Sequence, residues 1–343
     1  MAPPPESPRA RRPWLRPLLA AVGYGAILVL AWRSIDRTLL LEGLGRLRAV
    51  HLLAVLAVSL LHITGRALRF HWLVQRAGPN ADYRLIDGFR IFLIGLSTSA
   101  VTPARAGDFI KAQLVRPYGI GGNVGVGVVM VERMLDLLVI TSSIIVTGTM
   151  ISERSASSTW RAGAWMLLAC LIVGLVVVTV KTIRRQVFSI LAGLAARVKK
   201  GLDRDKVETT LEGIFQVWDT VFVSPMSLLS YALYSAGIWA IEFMKLWLVL
   251  HFLGAPVDVA TVLFVYPVSI VAGIITILPF SEGVVGVTGV ALLGTLAGVS
   301  SATATIAVVL DRGASSLPPL ALWGVFHFWR ASTRKTPNRS TSL

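Results

Sequence analysis

The chain has 343 residues, of which 55% are hydrophobic and only 15% charged, and its formal net charge is +15. A soluble domain carries about 25% charged residues, so the composition points away from a soluble enzyme and towards a membrane protein. Cys170 is alone, which leaves no disulfide framework and no cysteine metal cluster to build. The aromatic residues lack base-stacking spacing, so the basic excess reads as cytoplasmic loop charge rather than a nucleic-acid surface.

Residues 1–16 form a basic tail holding Arg9, Arg11, Arg12 and Arg16. The run RARRPWLRPLLAAVGYGAILVLAW then resembles a signal peptide, but it lacks a small-x-small cleavage site and reads as an uncleaved first span. Windows 17–32, 49–65, 162–180, 220–241, 259–281 and 283–310 contain no Asp, Glu, Lys or Arg. A helix needs about 20 apolar residues to cross the hydrocarbon core, so each is a span or a pair of half-spans. His62, in the second window, reads as a helix-packing histidine with a functional role as the alternative.

Charge sets the expected orientation. The basic tail, a second span ending near residue 66, the Lys/Arg-rich segment 181–206 and the tail 330–343 all belong inside, with both termini cytoplasmic. Arg66 and Arg69 count as loop markers in this scheme. Residues 33–48 fit it poorly, since they hold Arg33, Arg37, Arg46 and Arg48. Parity then requires 86–118 to start and end inside and 259–300 to start and end outside, which predicts two re-entrant hairpins. Irregular backbone at membrane depth is tolerated only where protein or a wet cavity surrounds it. Residues 183–222 have apolar positions at helical spacing among basic ones. They predict an amphipathic helix that lies on the cytoplasmic interface or packs under the bundle.

The chain also repeats itself. Trp72-Leu73-Val74 matches Trp247-Leu248-Val249, the P-x-x-x-G of Pro103–Gly107 matches that of Pro279–Gly283, and the acid–arginine pair Glu132-Arg133 matches Asp311-Arg312. The offsets are nearly constant and the two copies run in opposite directions. The expected fold is therefore an all-α polytopic membrane protein with two inverted repeats, 17–150 and 151–329. Each repeat has a re-entrant hairpin, near 86–118 and near 259–300. Inverted repeats are a transporter signature, with substrate held near the midplane.

The hairpins carry the candidate substrate-binding residues. Thr102 is placed to cap a helix starting at Pro103, and Ser281 to cap one starting near Glu282 and Gly283. Each helix would present its N-terminal N–H groups to an anion. Arg105 and Lys111 add positive charge, Asp108 tempers it, and Pro103 and Gly107, which frame the P-x-x-x-G, belong to the same candidate site. The alternative is that Arg105 and Asp108 only staple the hairpin. Glu132, Arg133 and Asp136 in one span, and Asp311 and Arg312 in another, form a buried charge network. Ionisable groups at that depth face partners or a cavity. Glu242 and Lys245 read as a further, structural pair.

The segments GRALRFHWLV, TPARAGDFIKA, VERMLD and LPFSEGVVGVTG resemble the transmembrane flippase region of lysylphosphatidylglycerol synthases, which also occurs alone in flippase-like membrane proteins. Asp108 stands where that pattern has glutamate, and SEGVVG where it has a double glycine. The resemblance runs from about 15 to 330 and implies lipid translocation without the soluble aminoacyl-transferase domain. The expected cargo is a phosphate-bearing lipid, phospholipid or polyprenyl-linked, in the cell membrane. No G-x-x-x-x-G-K-[ST] loop is present, so transport would be downhill or ion-driven. No cofactor is expected. The alternatives are a lipid transferase using Asp108 or Glu132, or a non-catalytic membrane partner of a separate synthase or glycosyltransferase.

Overall fold

The computed structural model describes residues 37–78, 82–155, 158–198, 204–275 and 282–333. The expected first span, Lys200 and the Ser281 cap lie outside the described residues. The described chain is helical, with no strand. In order it forms α1 (Arg37–Gly45), α2 (Ala49–Ala77), α3 (Leu85–Val101), a 3-10 helix (Pro103–Phe109), α4 (Ile110–Leu114), a 3-10 turn (Arg116–Tyr118) and α5 (Gly122–Ser155). There follow α6 (Ser158–Thr179), α7 (Lys181–Val198), α8 (Arg204–Val221), α9 (Pro225–Phe252), α10 (Val259–Ile275), α11 (Glu282–Ala297) and α12 (Ser301–Thr333).

Among the described residues, three helices are long and apolar enough to cross a membrane: Ala49–Ala77, Gly122–Ile151 and Pro225–Phe252. A fourth apolar segment in α6 meets α7 at a bend of 96°. Large apolar side chains such as Leu53, Leu60, Trp165, Met166 and Leu233 face outward, as lipid-facing surface does and soluble surface rarely does. The second span differs from its sequence reading. Helix α2 runs on past residue 66 to Ala77, and Arg66 and Arg69 are buried within it. They are not loop charges. The long apolar run hid the continuation because two arginines in a span read as its end.

After α3 the chain doubles back along it. A Cβ added at Gly107 would lie 2.5 Å from the Thr98 carbonyl, so only glycine admits this approach. Thr102 pins the turn: its Oγ1 accepts from the Gly107 N–H at 2.7 Å and donates to the Thr98 carbonyl at 3.0 Å. Pro103 takes the first helical position, as expected. The arm it opens is not one α-helix, however, but seven residues of 3-10 helix followed by the short α4. A dipole built from so few aligned peptides is weak, and the expected anion site at its N-terminus loses its main support.

Helices α10 and α11 pack against each other in the second half as α3 and the 3-10 arm do in the first. Pro267 interrupts α10 and leaves the Leu263 carbonyl without its helical donor. Ser143 of α5 supplies one, donating to that carbonyl at 2.7 Å. Pro318 and Pro319 fall inside α12.

Two apolar cores flank α5. One gathers Ile140 and Ile144 of α5 with α9, α10 and α12. The other gathers Val128, Val131 and Leu135 with α2, α3 and α8. Segment 183–222 is two helices rather than one. Arg184 clips α7 to α8 through Asp219 at 2.6 Å, and Val217, Trp218 and Val221 of α8 pack into the second core. Helix α7 leaves Ile190, Leu191 and Leu194 exposed. The packed-helix alternative therefore describes α8, and an exposed apolar face remains only on α7.

Candidate functional site

Charged side chains from both halves are buried between these helices. Burying an unpaired ion costs several kcal/mol, so a membrane-embedded chain retains such groups only in partnered arrangements. The partners form two clusters.

The first joins α2, α4, α5 and α9. Arg69 is wholly buried and donates to Asp136 Oδ1 at 2.6 Å and to Ser235 Oγ at 2.7 Å. It lies 3.8 Å from Glu132 Oε1. Lys111, also wholly buried, reaches Glu132 Oε2 at 2.5 Å and Asp108 Oδ1 at 3.4 Å. Its ammonium sits over the rings of Phe70 and Phe92, at 5.0 and 5.2 Å from their centroids. Arg133 binds the Asp108 carboxylate directly and lies 3.6 Å from Asp136. Arg66 lies 3.6 Å from Asp136 Oδ2. Glu132 and Asp136 share one buried face of α5, as their i, i+4 spacing requires.

The second cluster joins α2, α9, α10 and α12 around Glu242. Its Oε2 lies 2.9 Å from Lys245 Nζ and 2.9 Å from His62 Nδ1. Its Oε1 accepts from the Tyr266 hydroxyl at 2.5 Å and from Ser315 at 3.0 Å. Lys245 also reaches Ser315 and lies 3.4 Å from Asp311. Arg312 donates twice to Asp311 Oδ2, lies 3.7 Å from Glu242 and stacks over Tyr266 at 4.5 Å.

The clusters correspond. Arg69 of α2 meets Glu132 and Asp136 of α5, while Lys245 of α9 meets Asp311 and Ser315 of α12. The acidic positions are offset as the sequence repeat is, with serine standing in for the second carboxylate. Glu242 and Lys245, set aside in the sequence as a structural pair, are the middle of the second cluster.

Between the clusters lies a cavity of about 60 Å³ whose lining mixes these charged and polar side chains with apolar ones such as Ile63, Leu96 and Ile270. Five helices line it: His62 and Arg66 from α2, Ser97 and Ser99 from α3, Trp239 and Glu242 from α9, Tyr266 from α10, and Arg312, Ser315 and Ser316 from α12. Trp239 links it to the first cluster, donating its indole N–H to Asp136 at 3.0 Å.

The family model for the lysylphosphatidylglycerol synthase transmembrane region matches residues 15–322. The chain belongs to that family. The UPF0104 membrane protein PH1989 of Pyrococcus horikoshii is 25% identical over 332 residues, covering 90% of this chain and 95% of that protein. The family is one of membrane proteins related to lipid handling, and the apolar helices and outward apolar faces agree with a membrane location.

Within this family member, the candidate residues fall into three groups. Lys111, Asp108, Glu132, Arg133 and Asp136 converge in the first cluster, and Asp311 and Arg312 in the second. Gly107 is at the turn and Gly283 is in α11, in neither cluster. Pro103, Arg105 and Glu282 lie in helices, but their side chains, like Ser281, lie outside what is described. Sequence reasoning missed Arg66, Arg69, Ser97 and Ser99. For the arginines the signal was present, since they are i, i+3 on a helix whose other face is apolar.

A larger apolar groove of about 310 Å³ runs between α2, α9 and α12, lined by Leu47, Leu52, Val55, Phe252, Gly313 and Leu317 among others. It borders the opposite side of α12 from Arg312 and Ser315, so it is not an extension of the cavity between the clusters.

Proposed function

We propose that the protein translocates a phosphate-bearing lipid, phospholipid or polyprenyl-linked, between the leaflets of the cell membrane. The headgroup occupies the cavity between the clusters, and the hydrocarbon chains stay in the bilayer. The supporting observation is a pair of arginines, one from each half of the chain, on the wall of one cavity. Arg66 of α2 lies beside Asp136, and Arg312 of α12 beside Asp311 and Glu242. Guanidinium groups held at such depth also suit an oxyanion seated between Arg66 and Arg312, where charge-assisted hydrogen bonds offset its desolvation. Both arginines reach the cavity wall with guanidinium groups suited to two-point phosphate contacts.

On this reading the two corresponding clusters belong to inverted repeats, and the α3–3-10 and α10–α11 pairs are their re-entrant hairpins. The site lies where transporters of that plan hold substrate. A transferase using Asp108 or Glu132 is weaker, because Lys111 and Arg133 hold these carboxylates in ion pairs and neither lines the cavity. A separate lipid-modifying synthase or glycosyltransferase would supply or consume the cargo.

The test is a leaflet-resolved assay with purified protein in liposomes containing fluorescent phosphatidylglycerol. Protein should accelerate exchange. Arg66→Gln with Arg312→Gln should slow it by about tenfold or more, since each removes a charge-assisted hydrogen bond of about 1.5–3 kcal/mol. Exchange no faster than in empty liposomes would refute the proposal.

A further inference from the structure

His62 is buried on the cavity wall, and the translocation reading leaves it without a task. Its Nδ1 lies 2.9 Å from Glu242 Oε2, and its Nε2 is buried with no hydrogen-bond partner. Leaving a buried polar nitrogen unmatched costs about 1–3 kcal/mol. The ring lies beside Trp239, with 6.2 Å between centroids, and lines the same wall as Arg66 and Arg312.

The charged and titratable groups facing it come from several helices. Arg66 lies one turn along α2. Glu242 and Lys245 project from α9, Tyr266 from α10 and Arg312, paired with Asp311, from α12. Helix α3 presents Ser97 and Ser99 to the cavity, and Asp136 of α5 stands behind Arg66. With no phosphate beside it, the ring's burial opposes a further positive charge, Arg66 and Lys245 add to that, and a neutral ring satisfies Glu242 by donating from Nδ1. Its Nε2 then carries a lone pair.

A phosphate oxygen changes this. A phosphodiester oxyanion offers acceptors only, as does an ionised carboxylate. A ring held between Glu242 and a phosphate must donate from both nitrogens, because either neutral tautomer sets a lone pair against an oxyanion. We infer that His62 takes up one proton from water when a phosphate headgroup enters the cavity, donates it as an Nε2–H hydrogen bond, and returns it when the headgroup leaves. This rests on the phosphate-lipid reading above. By linkage, protonation must tighten headgroup binding as much as the headgroup favours protonation. A lipid that travels with a proton is thereby coupled to the proton gradient.

The test is calorimetric binding of short-chain phosphatidylglycerol to the purified full chain, in pairs of buffers with different ionisation enthalpies. This phosphodiester does not titrate near neutral pH, so any proton taken up belongs to the protein. Wild type should take up close to one proton per lipid at pH 7.5, and affinity should rise as pH falls, by up to about tenfold per unit. His62→Gln should bind with no uptake and a flat profile between pH 6 and 8. Histidine ¹⁵N spectra of wild type provide a reading that needs no variant: one ring should convert to the doubly protonated form on lipid addition. Binding without proton uptake and without that conversion overturns the inference alone. Uptake that persists in His62→Gln also overturns it. No binding at any pH overturns the phosphate-lipid reading with it. Equal binding of chain-free glycerophosphoglycerol would keep the proton linkage but assign the site to a soluble phosphodiester.

Discussion

Arg69 and Arg133 serve the same carboxylate from different depths. Arg69 has no exposed side-chain surface, whereas Arg133 is 26% exposed. Removing one member of a buried pair costs about 3–5 kcal/mol because its partner is left charged and dry. Arg69→Ala should therefore lose most of the folded protein, while Arg133→Ala should lose less, since truncating a side chain that is itself partly exposed opens its buried partners Asp108 and Asp136 to the surroundings. Monodispersity and thermal midpoint in detergent measure both, and equal losses would contradict the depth argument. At this scale the sequence displayed Glu132, Arg133, Asp136, Asp311 and Arg312, because a charge in an apolar run stands out by itself. It did not display who answers whom. The Arg69–Asp136 and His62–Glu242 contacts cross between helices, and helical periodicity carries no information about which faces meet.

Two glycines govern how elements approach. At Gly107 an added methyl would strike the backbone of Thr98, and backbone cannot rotate away. Overpacking costs about 1–3 kcal/mol where side chains can adjust, and a backbone clash exceeds that. Gly107→Ala should spread α3 from the 3-10 arm, move Lys111 off Glu132, and reduce both stability and exchange. At Gly127 of α5 an added Cβ would lie 2.4 Å from the Ile214 carbonyl of α8. Gly127→Ala should instead loosen α8, increasing proteolysis between α7 and α8 while leaving the clusters intact. Limited proteolysis with exchange assays separates the two outcomes. The P-x-x-x-G spacing made the first turn legible. The 3-10 geometry was not, because it depends on how tightly the arm must fold against α3. The split of 183–222 into α7 and α8 escaped for a similar reason: α8 buries Val217, Trp218 and Val221 in a core whose other members lie far away in sequence.

For the whole molecule, composition was enough to place the chain in a membrane, and three local matches were enough to suggest a repeat. The structure adds a correspondence of contacts, Arg69 with Glu132 and Asp136, Lys245 with Asp311 and Ser315. Orientation still rests on charge, now without Arg66 and Arg69. Tags at either terminus or at Lys200 should report from the cytoplasm, and tags at Ser157 or Gly254 from outside. A cytoplasmic Gly254 would break the inverted arrangement and the transport reading built on it.

The paired prolines of α12 come within two turns of Asp311 and Arg312. Neither has an N–H, so the carbonyls of Ala314 and Ser315, four residues earlier, lose their helical donors. Slack is thereby placed where the helix borders the cavity. Ser97 of α3 donates to the Pro319 carbonyl at 3.1 Å, tying the softened turn to the first half of the chain. A helix that lacks two hydrogen bonds at one point bends there more readily than elsewhere, with the charge cluster fixing the turns before it. Pro318→Ala with Pro319→Ala would restore both hydrogen bonds and stiffen the joint. The variant should melt several degrees higher than the wild type and, on the translocation reading, exchange lipid more slowly, gaining stability at the expense of motion.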